Sequence, residues 1–189
     1  KGAAVWWAPR SGHSPLPSFA HLGAVVTQYQ LALQQLTDSA LPTGAFAHSL
    51  GFETYVERGL VHDEESFGVW LVAFISQQLT YSDALAIRFL YEGVTVAELD
   101  SLLTAQLLPR QLREASTKMG GRLLEIGAEI FPSAELAEYR GLVGSGRAAG
   151  HQPLAFAVVA RSLGVPLPEA LAAYLFAAVT SLTQNAVRA

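Results

Sequence analysis

The sequence predicts an all-α fold, a single-domain bundle of about eight to ten helices, and three observations support this class. Apolar residues recur at three- and four-residue spacing along most of the chain, no segment keeps the alternating pattern of a strand, and helix-capping residues stand near the expected boundaries. A chain of 189 residues is long enough to bury a substantial core. We expect an irregular N-terminal extension, residues 1–27, followed by an all-α domain, residues 28–189.

The first helices flank a turn-rich segment, residues 37–53, around which the domain is organised. Apolar positions predict a short helix over residues 28–36. Thr43 follows a proline and can cap a new helix that extends to Arg58. Gly59 then suits the left-handed position that closes a helix.

The next helix begins after Asp63, a good N-cap residue. Its apolar positions, which include Phe67, Trp70 and Phe74, occupy most sides, and this pattern predicts a helix at the centre of the bundle. Residues 82–91 and 98–108 are expected to form two further helices.

An amphipathic helix is expected from Pro109, a residue that the first helical turn tolerates. Opposite charges at pairing distance, Arg110 with Glu114 and Arg122 with Glu125, would lie on its solvent side. Its apolar stripe consists of Leu112, Ala115, Met119, Leu123, Ile126 and Ile130.

Proline and glycine make residues 131–150 the main irregular region, with one short helix over residues 134–140. A helix over residues 153–163 and a final helix from Pro168 complete the fold. The seam of the final helix is expected to comprise Leu171, Leu175, Ala178 and Leu182.

Composition limits the classes of function. The net charge of −4 and the scattered basic residues argue against nucleic acid as a partner. Hydrophobic residues make up 51% of the chain and charged residues 15%, which predicts extra buried surface against protein partners. A membrane is not expected, because the longest uncharged apolar run, residues 170–179, is half of the roughly 20 residues that a spanning helix needs. The absence of cysteine excludes disulfides and is consistent with a cytoplasmic protein.

No group of residues suggests catalysis or cofactor binding. The carboxylates stand singly at helix starts or on outer faces. His48 and Ser49 are adjacent but would point to different sides of a helix, so we expect a protein that is not an enzyme. The five histidines show no ligand spacing, so no metal site is predicted within one chain. A weak candidate is His48, which could meet its copy across a dimer axis. Structural roles remain the default for His48 and for His151, which would orient the helix that follows it.

Glu53 is predicted to lie among apolar neighbours and therefore to need a partner. That partner is either a distant arginine of this chain, such as Arg113, or a group on another protein. We favour a group on another protein as the partner of Glu53. Phe46, at contact spacing from Leu50, is expected in the core.

Three blocks of sequence carry a resemblance to a known family. The first is Leu41-Pro42-Thr43-Gly44, then Phe46, His48-Ser49 and Gly51-Phe52-Glu53. The second comprises Arg113, Ser116, Met119, Gly120, Leu123 and Leu124, with Gln111 where an acidic residue is usual. The third comprises Gly150-His151, Tyr174-Leu175 and Ala186-Val187-Arg188. Together they resemble the UreF family of urease accessory proteins.

The resemblance implies a non-catalytic cytoplasmic scaffold that forms a homodimer. It also implies partners: UreD (also called UreH), the nickel-carrying GTPase UreG, and the apo-urease subunits to which the assembly delivers nickel. Family members continue into a further C-terminal tail, which is expected to be missing here. The motif positions that could contact partners are Pro42, Thr43, Gly44, Phe46, His48, Ser49, Gly51, Glu53, Arg113, Ser116, Met119, Gly120, His151, Tyr174 and Arg188.

Two other classes of function remain open from the residues themselves. The first alternative is an all-α ligand-binding or regulatory domain whose interior holds a small apolar molecule. The second is an enzyme. Turnover by the isolated chain would favour the enzyme, and a ligand retained through purification would favour the binding domain.

Overall fold

A computed structural model describes residues 28–38, 40–43 and 50–188. These residues form eight helices and no strand, which confirms the all-α prediction. We number the helices in chain order: α1 Gln28–Thr37, α2 Phe52–Glu57, α3 Glu64–Phe74 continued by Ile75–Ala84 and Leu85–Tyr91, α4 Val96–Gln106, α5 Arg110–Ile130, α6 Ala134–Gly144, α7 Gln152–Ser162 and α8 Leu167–Arg188.

The centre of the bundle is α7. Every side chain from Pro153 to Ala160 is buried, because α3, α4, α5, α6 and α8 all pack against this helix. The prediction that the helix after Asp63 is central was therefore wrong. Val69 and Val72 of that helix are 69% and 64% exposed, so the apolar residues on its far side meet solvent.

The two helices predicted over this part of the chain form one continuous helix, α3. Asp63 caps it as predicted: its carboxylate accepts a hydrogen bond from the Ser66 amide, and the Ser66 hydroxyl accepts one from the Asp63 amide. The middle segment, Ile75–Ala84, is a π-helix, in which Thr80 Oγ1 donates to the Ile75 carbonyl at 2.8 Å. A π-helical stretch inside an α-helix is rare and is often associated with functional sites.

The single helix predicted from Thr43 to Arg58 is interrupted. Leu50 and Gly51 both have positive φ, 50° and 87°, and α2 starts only at Phe52. A left-handed conformation at two successive residues is incompatible with a helix that runs through them. Gly59 has the left-handed φ of 67° that was predicted to close this helix.

Most of the buried apolar side chains in the described part of the chain belong to one of two clusters. The larger one surrounds α7, and the smaller one lies beneath α2, where Phe52 contacts Trp70 with ring centroids 4.8 Å apart. Leu182 of α8 completes the smaller cluster. Aromatic rings of Phe67 and Phe74 stack on Trp70 on the same side of α3.

Helix α5 agrees with its predicted pattern at most positions. The pairs Arg110–Glu114 and Arg122–Glu125 form, with contacts of 2.6 Å and 2.7 Å. Ile130 is the exception in the apolar stripe: it is 54% exposed, because α5 ends there and the chain turns away.

Helix α8 is longer than the apolar run on which the membrane argument relied. Its 22 residues are long and apolar enough to cross a membrane by length and composition, so the length argument does not hold for the folded helix. Core helices of soluble proteins pass the same test. One face of α8 packs against α1, α3 and α7. Its buried residues are Ala170, Tyr174 and Leu182. Of the predicted seam only Leu182 is buried, and Leu171, Leu175 and Ala178 are half-buried.

Candidate functional site

Several motif residues of the second and third blocks lie in two neighbouring places. One is a polar cluster at the N-terminus of α7, which we call the Asp100 cluster: the buried residues Asp100, Ser116, Tyr139 and His151, with the exposed Thr104 at its edge. The other is a cavity lined by α1, α3, α5, α7 and α8, which we call the α7–α8 cavity. The chain connects them, because Gln152 lines the cavity and donates its amide to Ser116 of the cluster.

Asp100 lies at the heart of the cluster and is 1% exposed. Its carboxylate accepts hydrogen bonds from the Tyr139 hydroxyl at 2.5 Å and from the backbone amides of Ala149, Gly150 and His151 at 2.5, 2.9 and 3.2 Å. A carboxylate from α4 thus satisfies three consecutive amides that lead into α7. Since the positive end of a helix dipole also favours an anion, Asp100 serves as a cap supplied from a different helix.

The loop that presents these amides requires Gly150. Its φ of 84° is a left-handed value that side chains rarely adopt, and an added Cβ would lie 3.2 Å from Val143. Turning the chain in this way lets the amides of Gly150 and His151 converge on one carboxylate oxygen.

His151 is fully buried and uses both ring nitrogens. Nε2 lies 2.9 Å from Thr104 Oγ1, and Nδ1 lies 3.1 Å from Ser116 Oγ. Because the Thr104 hydroxyl donates to the Asp100 carbonyl, it can only accept from His151, which assigns the proton to Nε2. Nδ1 then accepts from Ser116. Burial lowers the pKa of His151, against the opposing effect of Asp100, so the ring is neutral at pH 7. The predicted structural role at the start of α7 agrees with this position.

Gly120 permits the close approach of α5 to this loop. A Cβ at position 120 would lie 2.0 Å from the Gly150 carbonyl oxygen and 2.7 Å from the Gln152 amide nitrogen. No side chain fits in that space. Ser116 and Gly120, four residues apart on α5, therefore hold the His151 loop together from the same helix face.

The sequence reading missed Asp100, Thr104 and Tyr139. One signal was present: Asp100 stands between Leu99 and Leu103, which are both buried, so helical spacing places its carboxylate beside the buried face. A carboxylate at such a position needs partners. Which amides it meets depends on the long-range fold, because they lie 49 to 51 residues further along the chain.

The α7–α8 cavity has a volume of about 290 Å³ and also collects motif residues. Thr43 of the first block, Met119 of the second and Tyr174 of the third all line it. The apolar side chains of its walls belong to Leu36, Leu41, Leu50, Leu79, Met119, Leu123, Phe156 and Phe176.

Asp83, on the π-helical segment of α3, brings a carboxylate to the cavity wall. Tyr174 donates its hydroxyl to Asp83 Oδ2 at 2.7 Å, and Gln78 Nε2 lies 3.3 Å from Oδ1. Burial raises the pKa of Asp83 to about 6, although these hydrogen bonds oppose the rise. Burial and the neighbouring carboxylate likewise raise the pKa of the Tyr174 hydroxyl well above its ordinary value.

The remaining predicted residues are spread over other parts of the chain. Arg113 does not serve Glu53: its guanidinium donates to the carbonyls of Leu107 and Leu108, where α4 ends. Glu53 is exposed on α2. Arg188 is exposed in the last turn of α8 and contacts the Gln184 carbonyl and the Asn185 side chain. Pro42 is exposed, Gly51 precedes α2, and four predicted positions lie outside the described residues: Gly44, Phe46, His48 and Ser49.

No group of three or more His, Asp or Glu side chains in the described part of the chain could hold a metal ion. The oxygen and nitrogen atoms of the Asp100 cluster that could bind a metal already form hydrogen bonds with backbone amides and hydroxyl groups. The possible symmetric site at His48 lies outside the described residues and stays a hypothesis.

Comparison with known sequences supplies the deciding observation. The sequence model of the UreF family matches residues 61–189, which include α3 to α8. The chain belongs to the UreF family. The resemblance inferred from the three motif blocks is thereby confirmed, and the two features described above are features of a UreF-family fold.

Curated UreF-family relatives extend the match toward the N-terminus. A protein of Arthrobacter sp. (strain FB24), named urease accessory protein UreF, is 87% identical over 166 residues, which are 88% of this chain and 74% of the relative. Its namesake in Paenarthrobacter aurescens (strain TC1) is 77% identical over 161 residues, covering 85% and 72%. The namesake in Lachnoclostridium phytofermentans is 43% identical over 166 residues, covering 85% and 73%.

Proposed function

We propose that this UreF-family chain acts in urease maturation as a non-catalytic cytoplasmic scaffold. It joins UreD (UreH) and the GTPase UreG to apo-urease and so supports nickel insertion. The observation that carries this proposal is the 87% identity to a protein named as a urease accessory protein. The buried polar groups fit a scaffold better than an enzyme, since Asp100, Tyr139 and His151 are fully paired and inaccessible to a substrate.

The exposed apolar surface supports an assembly role. On α8, the exposed positions Ala172, Phe176, Thr183 and Val187 recur at helical spacing, and Phe176 and Val187 are 74% and 84% exposed. One face of the helix packs on the bundle and the other offers apolar side chains to solvent. Such a surface is typical of protein interfaces.

We propose that the interface of the homodimer that the family resemblance implies lies on this outer face of α8. A two-fold interface uses the same patch on both copies, and a long straight helix offers such a patch. Val187→Asp, on the part of this face that does not line the cavity, should convert the dimer to a monomer by placing two carboxylates in the interface. Leu102→Asp, on the exposed side of α4, is the matched control and should leave the dimer intact. Size-exclusion chromatography with light scattering measures the outcome, and a monomeric wild-type chain would refute the dimer.

Glu53 is proposed to contact a partner protein, because it is exposed and Arg113, the arginine considered for it, is engaged elsewhere. We expect Glu53→Ala to leave the melting temperature nearly unchanged while weakening the recruitment of UreG. Glu57→Ala, exposed on the same helix, is the control. A large fall in melting temperature, with normal recruitment by the folded fraction, would show that Glu53 is structural.

The central test is reconstitution from purified components. The full chain is mixed with UreD and UreG, the complex is sized by light scattering, and the mixture is added to apo-urease with nickel. The proposal expects a ternary complex and activation of urease that both require this chain. Failure to bind UreD or UreG, or activation that is equal without the chain, would refute it.

A ligand-binding role is the second candidate, and the α7–α8 cavity is the observation that favours it. A cavity of about 290 Å³ with apolar walls can hold a small molecule. Mass spectrometry of the protein purified under native conditions tests this role independently of assembly.

A further inference from the structure

The charged residues in the described lining of the α7–α8 cavity are all acidic. Asp38 and Asp83 are the charged residues among its described lining, and no lysine, arginine or histidine is among them. Asp83 has only neutral hydrogen-bond partners, Tyr174 and Gln78, and no described residue forms an ion pair with it. Asp83 is half-buried, and a carboxylate partly removed from water without a countercharge is energetically unfavourable.

The bonding of Asp83 leaves room for a further donor. Each carboxylate oxygen can accept two hydrogen bonds. Tyr174 and Gln78 use one position on each oxygen. A positively charged donor that enters the cavity would therefore add a bond without displacing either neighbour.

The walls of the cavity restrict the rest of the ligand. Leu79, Met119 and Phe156 are among the apolar residues that line the cavity, and its volume of about 290 Å³ is at the small end for a ligand pocket. Such a space fits a short apolar chain rather than a nucleotide or a large polar molecule.

From the combination of one-signed charge and apolar walls, we propose that the α7–α8 cavity binds an aliphatic monocation, a primary ammonium group on a short apolar stem. The ammonium pairs with Asp83, and the stem lies against the apolar walls. This binding role goes beyond assembly of the urease accessory complex and does not depend on it.

The experiment uses n-hexylammonium as the probe and n-hexanol, which has a similar shape without the charge, as the matched ligand. Binding to the full chain is measured by calorimetry or by ligand-observed magnetic resonance. We expect the ammonium to bind at least about tenfold more tightly than the alcohol, since one favourable charged contact is worth roughly a factor of ten or more. Equal affinities for the two ligands would overturn the proposal.

Variants locate the site. Asp83→Asn should weaken hexylammonium binding by about tenfold and leave hexanol binding unchanged. Glu129→Gln, which removes one exposed carboxylate from α5, is the charge-matched control and should have no effect. Ala177→Met should fill the cavity and weaken both ligands. Equal loss in Asp83→Asn and Glu129→Gln, or normal binding in Ala177→Met, would refute the assignment.

Two further outcomes decide the remaining cases. If Asp83→Asn does not fold, the comparison of the two ligands in the wild-type chain and in Ala177→Met carries the decision. Hexylammonium binding in Ala177→Met as tight as in the wild-type chain would overturn the proposal in that case.

A primary ammonium group on a short apolar stem occurs both in free amines and in lysine side chains. Nα-acetyl-lysine N-methylamide distinguishes these sources: binding as tight as hexylammonium indicates a lysine of a protein, and binding only of the free amine indicates a small molecule. Formation of the complex with UreD and UreG by Asp83→Asn would leave the assembly proposal standing whatever the outcome for the cavity.

Discussion

Gly120 and Gly121 are adjacent on α5, but only Gly120 contacts the loop before α7, so the two positions together test how closely α5 and the loop are packed. We consider the substitution Gly120→Ala beside its neighbour Gly121→Ala. An added Cβ at position 120 would lie 2.0 Å from the Gly150 carbonyl oxygen, whereas at position 121 it would meet nothing within 4 Å. The two variants therefore differ in local packing while sharing the same helix and the same chemical change.

The expected magnitudes follow from three contributions. Replacing glycine by alanine inside a helix gains about 1 kcal/mol at either position. At position 120 the loop must move by more than 1 Å to restore an ordinary contact, and overpacking of this kind costs about 3 kcal/mol or more. Displacing the loop also weakens the bonds of Ser116 to His151 and Gln152, each worth about 1 kcal/mol. We expect Gly120→Ala to destabilise the protein by about 3–4 kcal/mol and Gly121→Ala to stabilise it by up to about 1 kcal/mol.

Urea denaturation followed by circular dichroism measures both free energies of unfolding. The slopes of the two transitions should agree, so that the midpoints report stability alone. If the two variants differ by less than about 1 kcal/mol, the close approach of α5 to the loop is not a constraint on the fold, and the account of the Asp100 cluster given above fails.

Three other changes test neighbouring features. Asp100→Asn should lower the free energy of unfolding by about 3 kcal/mol, because the asparagine side chain cannot accept hydrogen bonds from the Tyr139 hydroxyl and all three backbone amides. The control Ser101→Ala, at an exposed position, should change this free energy by less than about 0.5 kcal/mol, and urea titration compares the two variants. Asp83 has a folded-state pKa of about 6 against an ordinary 3.8, so its contribution to stability is greatest below pH 3.8 and is lost as the pH rises through 6. The difference in the free energy of unfolding between wild type and Asp83→Asn should therefore change by up to about 3 kcal/mol across that pH range. A difference that does not change with pH would contradict the burial of Asp83. Arg113→Met should lower the melting temperature by several degrees, since the carbonyls of Leu107 and Leu108 lose the guanidinium that donates to them. An unchanged melting curve would show that water replaces the guanidinium as the donor.

The helices could be predicted from the sequence because their signals are local. The cap at Asp63 and the charge pairs of α5 depend on residues three or four positions apart, and each appears in the structure as predicted. The family could be recognised for a similar reason, since its motif blocks are contiguous stretches of sequence.

The errors have long-range or conformational causes. The helix after Asp63 was placed at the centre of the bundle because apolar periodicity shows which residues could be buried. It does not show how many sides of the helix are covered, and Val69 and Val72 are exposed. The break before α2 depends on two left-handed residues, and Leu50 carries no sequence signal for that conformation. The Asp100 cluster joins groups from four parts of the chain, so no local window contains it.

The division of the core into two clusters has a consequence for how the molecule opens. Among the described residues, the smaller cluster has four buried members, Phe52, Val61, Trp70 and Leu182, whereas the larger one surrounds α7. Opening the smaller cluster exposes less apolar surface, so it requires less free energy than unfolding the whole domain. We expect amide hydrogens of α2 and of the first turns of α3 to exchange with deuterium well before those of α7. The segment that carries Glu53 can therefore reshape itself against a partner while the Asp100 cluster keeps the rest of the bundle in place.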